Sequence, residues 1–152
     1  MIIQNAPPGS YAVSVPGTGS NGCIDTVMSG ASDLSRDYLV ISAGGSPAPI
    51  DVTLRADCAS LTVNLDSGSN SQATVLLIAN NRLVQPFIGS RGGTAHFGNL
   101  PPGDYIVYAF SSVDDLEYAN PEVMRACSGQ SITLSPNQQA ELKIGVINRE
   151  SR

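Results

Sequence analysis

The sequence predicts an all-β chain of tandem β-sandwich modules, the first incomplete, with one short helix in the second. Three observations predict it. Gly and Pro number 15 and 10 in 152 residues, charged residues make up only 14% and Trp is absent, a composition suited to many short strands joined by turns. Run after run alternates apolar and polar residues, the period of a strand with one covered face. Finally, there is an internal repeat. Pro7-Pro8-Gly9-Ser10-Tyr11-Ala12-Val13 and Pro101-Pro102-Gly103-Asp104-Tyr105-Ile106-Val107 keep the same order at an offset of 101 − 7 = 94, about the length of one small sandwich.

Taken in order, residues 11–15 alternate as a strand, residues 17–22 are a Gly-rich loop, and Cys23-Ile24-Asp25-Thr26-Val27 alternates again. Ser29-Gly30-Ala31-Ser32-Asp33 interrupts. A short apolar run at residues 38–41 and a rigid Gly-Pro turn at 44–49 lead into Ile50-Asp51-Val52-Thr53-Leu54-Arg55, a period-2 strand with Ile50, Val52 and Leu54 on one face. A new series begins at Asp57. Residues 61–65 alternate, residues 66–71 form a polar turn, and residues 73–79 are apolar enough for a central strand. Asn80-Asn81 suits a tight hairpin because Asn tolerates positive φ, residues 82–84 return, and Pro86 marks an edge. Residues 94–97 then lead into the second Pro-Pro-Gly turn, and residues 104–110 carry the strongest strand pattern in the chain. The helix is expected around residues 113–126, where Asn120 is a good N-cap, Pro121 stands at the first helical position and Glu122 follows early. Residues 131–134 and 140–147 read as the last two strands.

The repeat also predicts the boundary. Leu39-Val40-Ile41-Ser42 and Ile50-Asp51-Val52-Thr53-Leu54 match Ile132-Thr133-Leu134-Ser135 and Leu142-Lys143-Ile144-Gly145-Val146, at shifts of 132 − 39 = 93 and 142 − 50 = 92. Residues 57–150 are therefore expected to be a complete module and residues 1–56 the C-terminal part of another, whose first strands would lie before Met1. Half a sandwich leaves a sheet face uncovered and strand edges unpaired. Three covers are conceivable: the complete module, strands from a neighbouring chain, or further sequence in a longer protein. If a neighbour donates strands to a differing acceptor surface, an open filament grows.

Composition excludes several functions. A net charge of −5 with a single lysine, Lys143, lacks the clustered cations that a nucleic-acid backbone requires. No apolar run approaches the ~18 residues of a membrane helix, so no membrane insertion is expected. Met1-Ile2-Ile3-Gln4-Asn5 does not read as a signal peptide. Any export leader would lie outside this sequence, yet the acidic, Ser/Thr/Asn/Gly-rich composition suits an extracellular or cell-surface protein. Cys23, Cys58 and Cys127 are too widely spaced for a zinc site. The reading favours a Cys58–Cys127 bridge, which would tie the start of a module to the segment before its last strands; three separate buried thiols are the other reading.

No catalytic set can be assembled. His96 is the only histidine and has no Cys, Glu or second His at metal spacing, so it reads as a strand residue at or near the surface. Asp114, Asp115 and Glu117, with Glu122 nearby, are the candidate Ca²⁺ ligands. Acids at a solvated helix start, favoured by its dipole, are the plainer explanation. Tyr11, Tyr38, Tyr105, Tyr108 and Tyr118 could stack on a sugar, but core packing and tyrosine-corner hydrogen bonds account for them better. The chain is thus read as non-enzymatic and without cofactor.

Phe97-Gly98-Asn99-Leu100-Pro101-Pro102-Gly103-Asp104-Tyr105, Tyr108-Ala109-Phe110 and Glu117-Tyr118-Ala119-Asn120-Pro121-Glu122 resemble the carboxypeptidase regulatory-like, transthyretin-like (Ig-like) β-sandwich domains of large exported bacterial proteins of acidobacterial type. Residues 30–34 and 47–50 resemble the tail of such a module. The resemblance implies a seven- or eight-strand sandwich, export and a structural or adhesive role, and carries over no catalytic residue. Together with the tandem repeat and the truncated first module, it leads to the expectation of a spacer, an adhesive module or a filament subunit built by strand complementation, with self-association expected and surface polysaccharide or protein as a further partner. Two alternatives stay open: a carbohydrate- or peptide-binding module using loops such as 113–127, and a regulatory appendage of a surface peptidase or outer-membrane transporter. Such modules usually sit in far longer chains, often ahead of an outer-membrane barrel, which this sequence does not contain. Related adhesin modules weld Lys to Asn by an isopeptide bond, which the placement of Lys143 in the last strand does not favour.

Overall fold

The computed structural model describes residues 6–15, 22–66, 73–79, 82–88, 93–118 and 120–149, and the chain divides into two units, Met1–Ala56 and Asp57–Arg152. Within the described residues the alternating runs become twelve strands and the Asn-Pro-Glu signal becomes a helix. Of the expected loops at residues 17–22 and 66–71, all but Gly22 and Asp66, the last residue of a strand, lie outside the described residues, as does the Asn80-Asn81 turn.

In Asp57–Arg152, seven strands form two sheets. One, in the order β11-β10-β7-β8, comprises β7 (Thr74–Ala79), β8 (Arg82–Ile88), β10 (Gly103–Phe110) and β11 (Gln130–Leu134), all paired antiparallel. The other, β12-β6-β9, comprises β6 (Ala59–Asp66), β9 (Thr94–Leu100) and β12 (Gln139–Gly145). Here β12 runs parallel to β6, with Leu142 opposite Val63 and Ile144 opposite Leu65. Pro86 falls in the edge strand β8, where a missing N–H does no harm to an inner ladder.

The core lies between these sheets. Leu61 and Val63 of β6, Ala95 and Phe97 of β9, Val75 and Leu77 of β7 and Val107 and Ala109 of β10 are buried together with Leu134 and Ile144. β7 and β10 are covered on both faces, which is why they read as near-continuous apolar runs. Their outer residues Leu76, Ile78, Tyr108 and Phe110 pack with Leu116 and Met124 in a second cluster, over which the helix α1 (Pro121–Arg125) lies. Asn120 caps α1 by accepting the Glu122 N–H at 3.0 Å. Residues 113–118, the other part of the expected helical region, form turns.

In Met1–Ala56, β1 (Gly9–Tyr11) pairs antiparallel with β4 (Leu39–Ile41), and β2 (Cys23–Ser29), β3 (Ser32–Asp33) and β5 (Ile50–Arg55) form a sheet in the order β3-β2-β5. Ladder pairing on β1 stops at Tyr11, short of the expected residue 15. The alternation persists nonetheless: Tyr11, Val13 and Val15 are half-buried and Ala12 and Ser14 exposed. Among the described residues of this unit, Cys23, Val27 and Leu34 are the buried hydrophobics.

The two units repeat each other in geometry as well as sequence. Gly9, Ser10 and Tyr11 face Ile41, Val40 and Leu39, as Gly103, Asp104 and Tyr105 face Leu134, Thr133 and Ile132. The Tyr11 hydroxyl donates to the Pro7 carbonyl at 2.6 Å, and the Tyr105 hydroxyl to the Pro101 carbonyl at 2.5 Å. Both bonds reach four residues back, the tyrosine-corner type expected from the sequence.

Candidate interaction surface

The repeat makes it possible to ask of each residue in the first copy what its counterpart does in the second. On β5, Ile50, Val52 and Leu54 are 37%, 42% and 50% exposed. Their counterparts at a shift of 92 are Leu142, Ile144 and Val146, which pack in or against the core of the second unit. There, β12 has β6 beside it and the opposite sheet above it; among the described residues of the first unit, β5 has β2 on one side and closes the sheet order. Among the described residues, Ile50, Val52 and Leu54 thus keep the core pattern without a core against them. An apolar row of this kind, on an edge strand, is where a sheet recruits a further strand.

Electrostatics around the row is sparse. Arg55 Nη1 lies 3.4 Å from Asp25 Oδ1 across the β2/β5 pair, and Arg36 pairs with Asp33 near the end of β3. At these exposures such pairs contribute little to stability but fix where charge stands beside the apolar residues.

The other sequence candidates disperse over the second unit. Asp114 accepts a hydrogen bond from the Ser112 hydroxyl at 2.7 Å, Asp115 takes a left-handed φ of 56° in an exposed turn, and Glu117 accepts from the Asn120 amide at 3.3 Å. Each acid thus serves a local turn or the helix start, and among the described residues no three His, Cys, Asp or Glu side chains gather at metal-binding distance. His96 is exposed on β9 with its Nδ1 3.0 Å from Thr62 Oγ1, its cross-strand neighbour on β6; an isolated His and a distant Thr give no sequence signal for this pair. Lys143 stands opposite Asn64 in the β12/β6 ladder, on the exposed side, and its ammonium pairs with Asp66 at 3.2 Å. Of the tyrosines, Tyr105 and Tyr108 are core residues, whereas Tyr38 and Tyr118 are exposed. Burial pushes the Tyr105 hydroxyl up to about 12. The Tyr108 hydroxyl is raised too, by burial first and by the neighbouring Cys127 second.

The cysteines differ from the expected pairing. Cys23 and Cys58 are disulfide-bonded and Cys127 is a free thiol, so the Cys58–Cys127 bridge is corrected. The reason is layering: Cys58 precedes β6 in the three-stranded sheet, whereas Cys127 follows α1 and packs in the cluster on the far face of the four-stranded sheet.

No family model matches the chain, and no curated protein matches it. Among solved structures it is similar to the Bacillus anthracis TIE protein, with a TM-score of 0.42 and 18% identity over 66% of this chain and 18% of that one. It is also similar to BcpA, the major pilin subunit of Bacillus cereus, with a TM-score of 0.42 and 16% identity over 66% of this chain and 32% of that one. The chain thus spans less than a third of the length of each. Among the described residues no helix is long and apolar enough to cross a membrane.

Proposed function

We propose that this chain is a non-catalytic structural protein of the cell exterior, a spacer or adhesive module that associates with copies of itself through the first repeat. The observation that carries the reading is the exposure of Ile50, Val52 and Leu54, whose counterparts in the second repeat form part of the core. Leaving three such side chains in water forgoes roughly 1 kcal/mol or more for each, and a neighbouring chain that covers this face recovers it. Where donor and acceptor surfaces differ, strand complementation repeated from chain to chain builds a filament. The disulfide supports an oxidising, extracytoplasmic setting, and the resemblance to carboxypeptidase regulatory-like domains, taken with the tandem repeat, supports export and a structural role.

Sedimentation velocity of the full, oxidised chain over about 1 to 200 µM, together with negative-stain electron microscopy, tests this. The expected result is a mass that rises with concentration and ordered particles larger than one chain. A monomer throughout that range would contradict it.

A further inference from the structure

We propose that β5 pairs antiparallel with β5 of a second copy of this chain, across a two-fold axis at Thr53. This rests on the reading of the first repeat as an association surface and names what that surface takes up. Among the described residues β5 has β2 on one side and ends the sheet order β3-β2-β5, so its outer edge offers the geometry that one more strand completes.

The strand's own sequence selects the partner. Ile50-Asp51-Val52-Thr53-Leu54-Arg55 sets Ile50, Val52 and Leu54 on one face and Asp51, Thr53 and Arg55 on the other. Turned about Thr53, the strand meets its copy with a complement at each position. Asp51 stands opposite Arg55 of the second copy, Thr53 opposite Thr53, and Val52 opposite Leu54. Directly opposed charges of unlike sign and Thr–Thr pairs are favourable across a ladder, and the symmetry makes each Asp–Arg pair occur twice. The apolar row then continues from one copy into the next.

Other registers lose something. A slip of one residue puts the apolar row of one copy on the polar face of the other. Centring on Val52 keeps the apolar faces together but sets Asp51 opposite Thr53 and Arg55 opposite Pro49, so both ion pairs vanish. Charge therefore fixes the axis at Thr53. Arg55 already has Asp25 at 3.4 Å with about a third of its side chain exposed, and a guanidinium with five N–H donors serves two carboxylates. A pair of this symmetry closes on itself, so growth past a dimer uses a different surface.

Charge reversal tests it by sedimentation equilibrium on the full chain. Asp51→Arg alone sets two arginines against each other at both ends of the ladder, and Arg55→Asp alone sets two aspartates against each other. Each variant should self-associate on the order of ten-fold more weakly than the parent, whereas an equimolar mixture of the two should pair as well as the parent. In a mixed pair, one variant's two arginines face the other's two aspartates, so every opposed charge is again unlike. Thermal melts establish that each variant is folded, and Asp51→Arg, whose ladder neighbour on β2 is the uncharged Met28, has no charge conflict with that neighbour. If the parent associates and the single variants associate equally well, or the mixture fails to recover, the β5 pairing is overturned while association by another surface stands. If the parent is a monomer throughout, both readings fall.

Discussion

Tyr105 shows how one side chain carries both packing and a signature that can be measured. Its ring is in the core while its hydroxyl donates to the Pro101 carbonyl, and burial raises the hydroxyl from 10.0 to about 12. A group raised on folding contributes its full stability below its unfolded pKa and loses it as the pH climbs through the folded one. The contribution of Tyr105 to stability should therefore be level up to about pH 10 and fall between pH 10 and 12. In Tyr105→Phe that alkaline fall should be shallower, and stability at neutral pH should drop by about 1 kcal/mol or more because the carbonyl loses its donor; denaturant titrations at a series of pH values read both. The cysteines give a second test at this scale. Alkylation of the unfolded, unreduced chain should add one label, at Cys127, and reduction should expose Cys23 and Cys58. Closing the 58 − 23 = 35 residue span contributes roughly 3 to 4 kcal/mol in the chain-entropy model, so reductant should lower the melting temperature by several degrees.

At the scale of the element, what the sequence displays locally is what it predicts well. The strand at Ile50–Arg55 has the predicted bounds, because its alternation is strict and turns flank it. The Asn120, Pro121 and Glu122 signal gives a capped helix, since capping depends on neighbours only. The tyrosine corners follow from Pro-Pro-Gly and a tyrosine within five residues. Contacts between distant segments are less legible. The disulfide partner of Cys58 depends on which sheet each cysteine reaches, and the Thr62–His96 pair depends on a register that spacing does not encode. Nor does alternation reveal whether a neighbour covers the apolar face: β5 and β12 share a pattern, yet among the described residues only β12 lies against a core. One tight approach also escapes the sequence. A Cβ on Gly129, in the segment entering β11, would stand 2.5 Å from the Tyr108 ring and 2.6 Å from Ile106. Both neighbours are side chains of the well-packed β10, so Gly129→Ala should destabilise by about 1–3 kcal/mol, seen as a lower denaturation midpoint with an unchanged slope.

For the molecule as a whole, the two repeats place nearly the same strand chemistry in two settings. One has a second sheet to close its core, and among the described residues the other leaves its apolar row exposed. The functional reading follows from that difference, because an edge with exposed apolar side chains is retained only at a cost in solubility. The most direct measurement is amide hydrogen exchange of the full, oxidised chain at about 1 µM and about 200 µM. Amides of Ile50–Arg55 should exchange more slowly at the higher concentration, while those of β12, whose apolar row is covered within the second unit, should not change. Exchange at Ile50–Arg55 that is the same at both concentrations would contradict association through the first repeat.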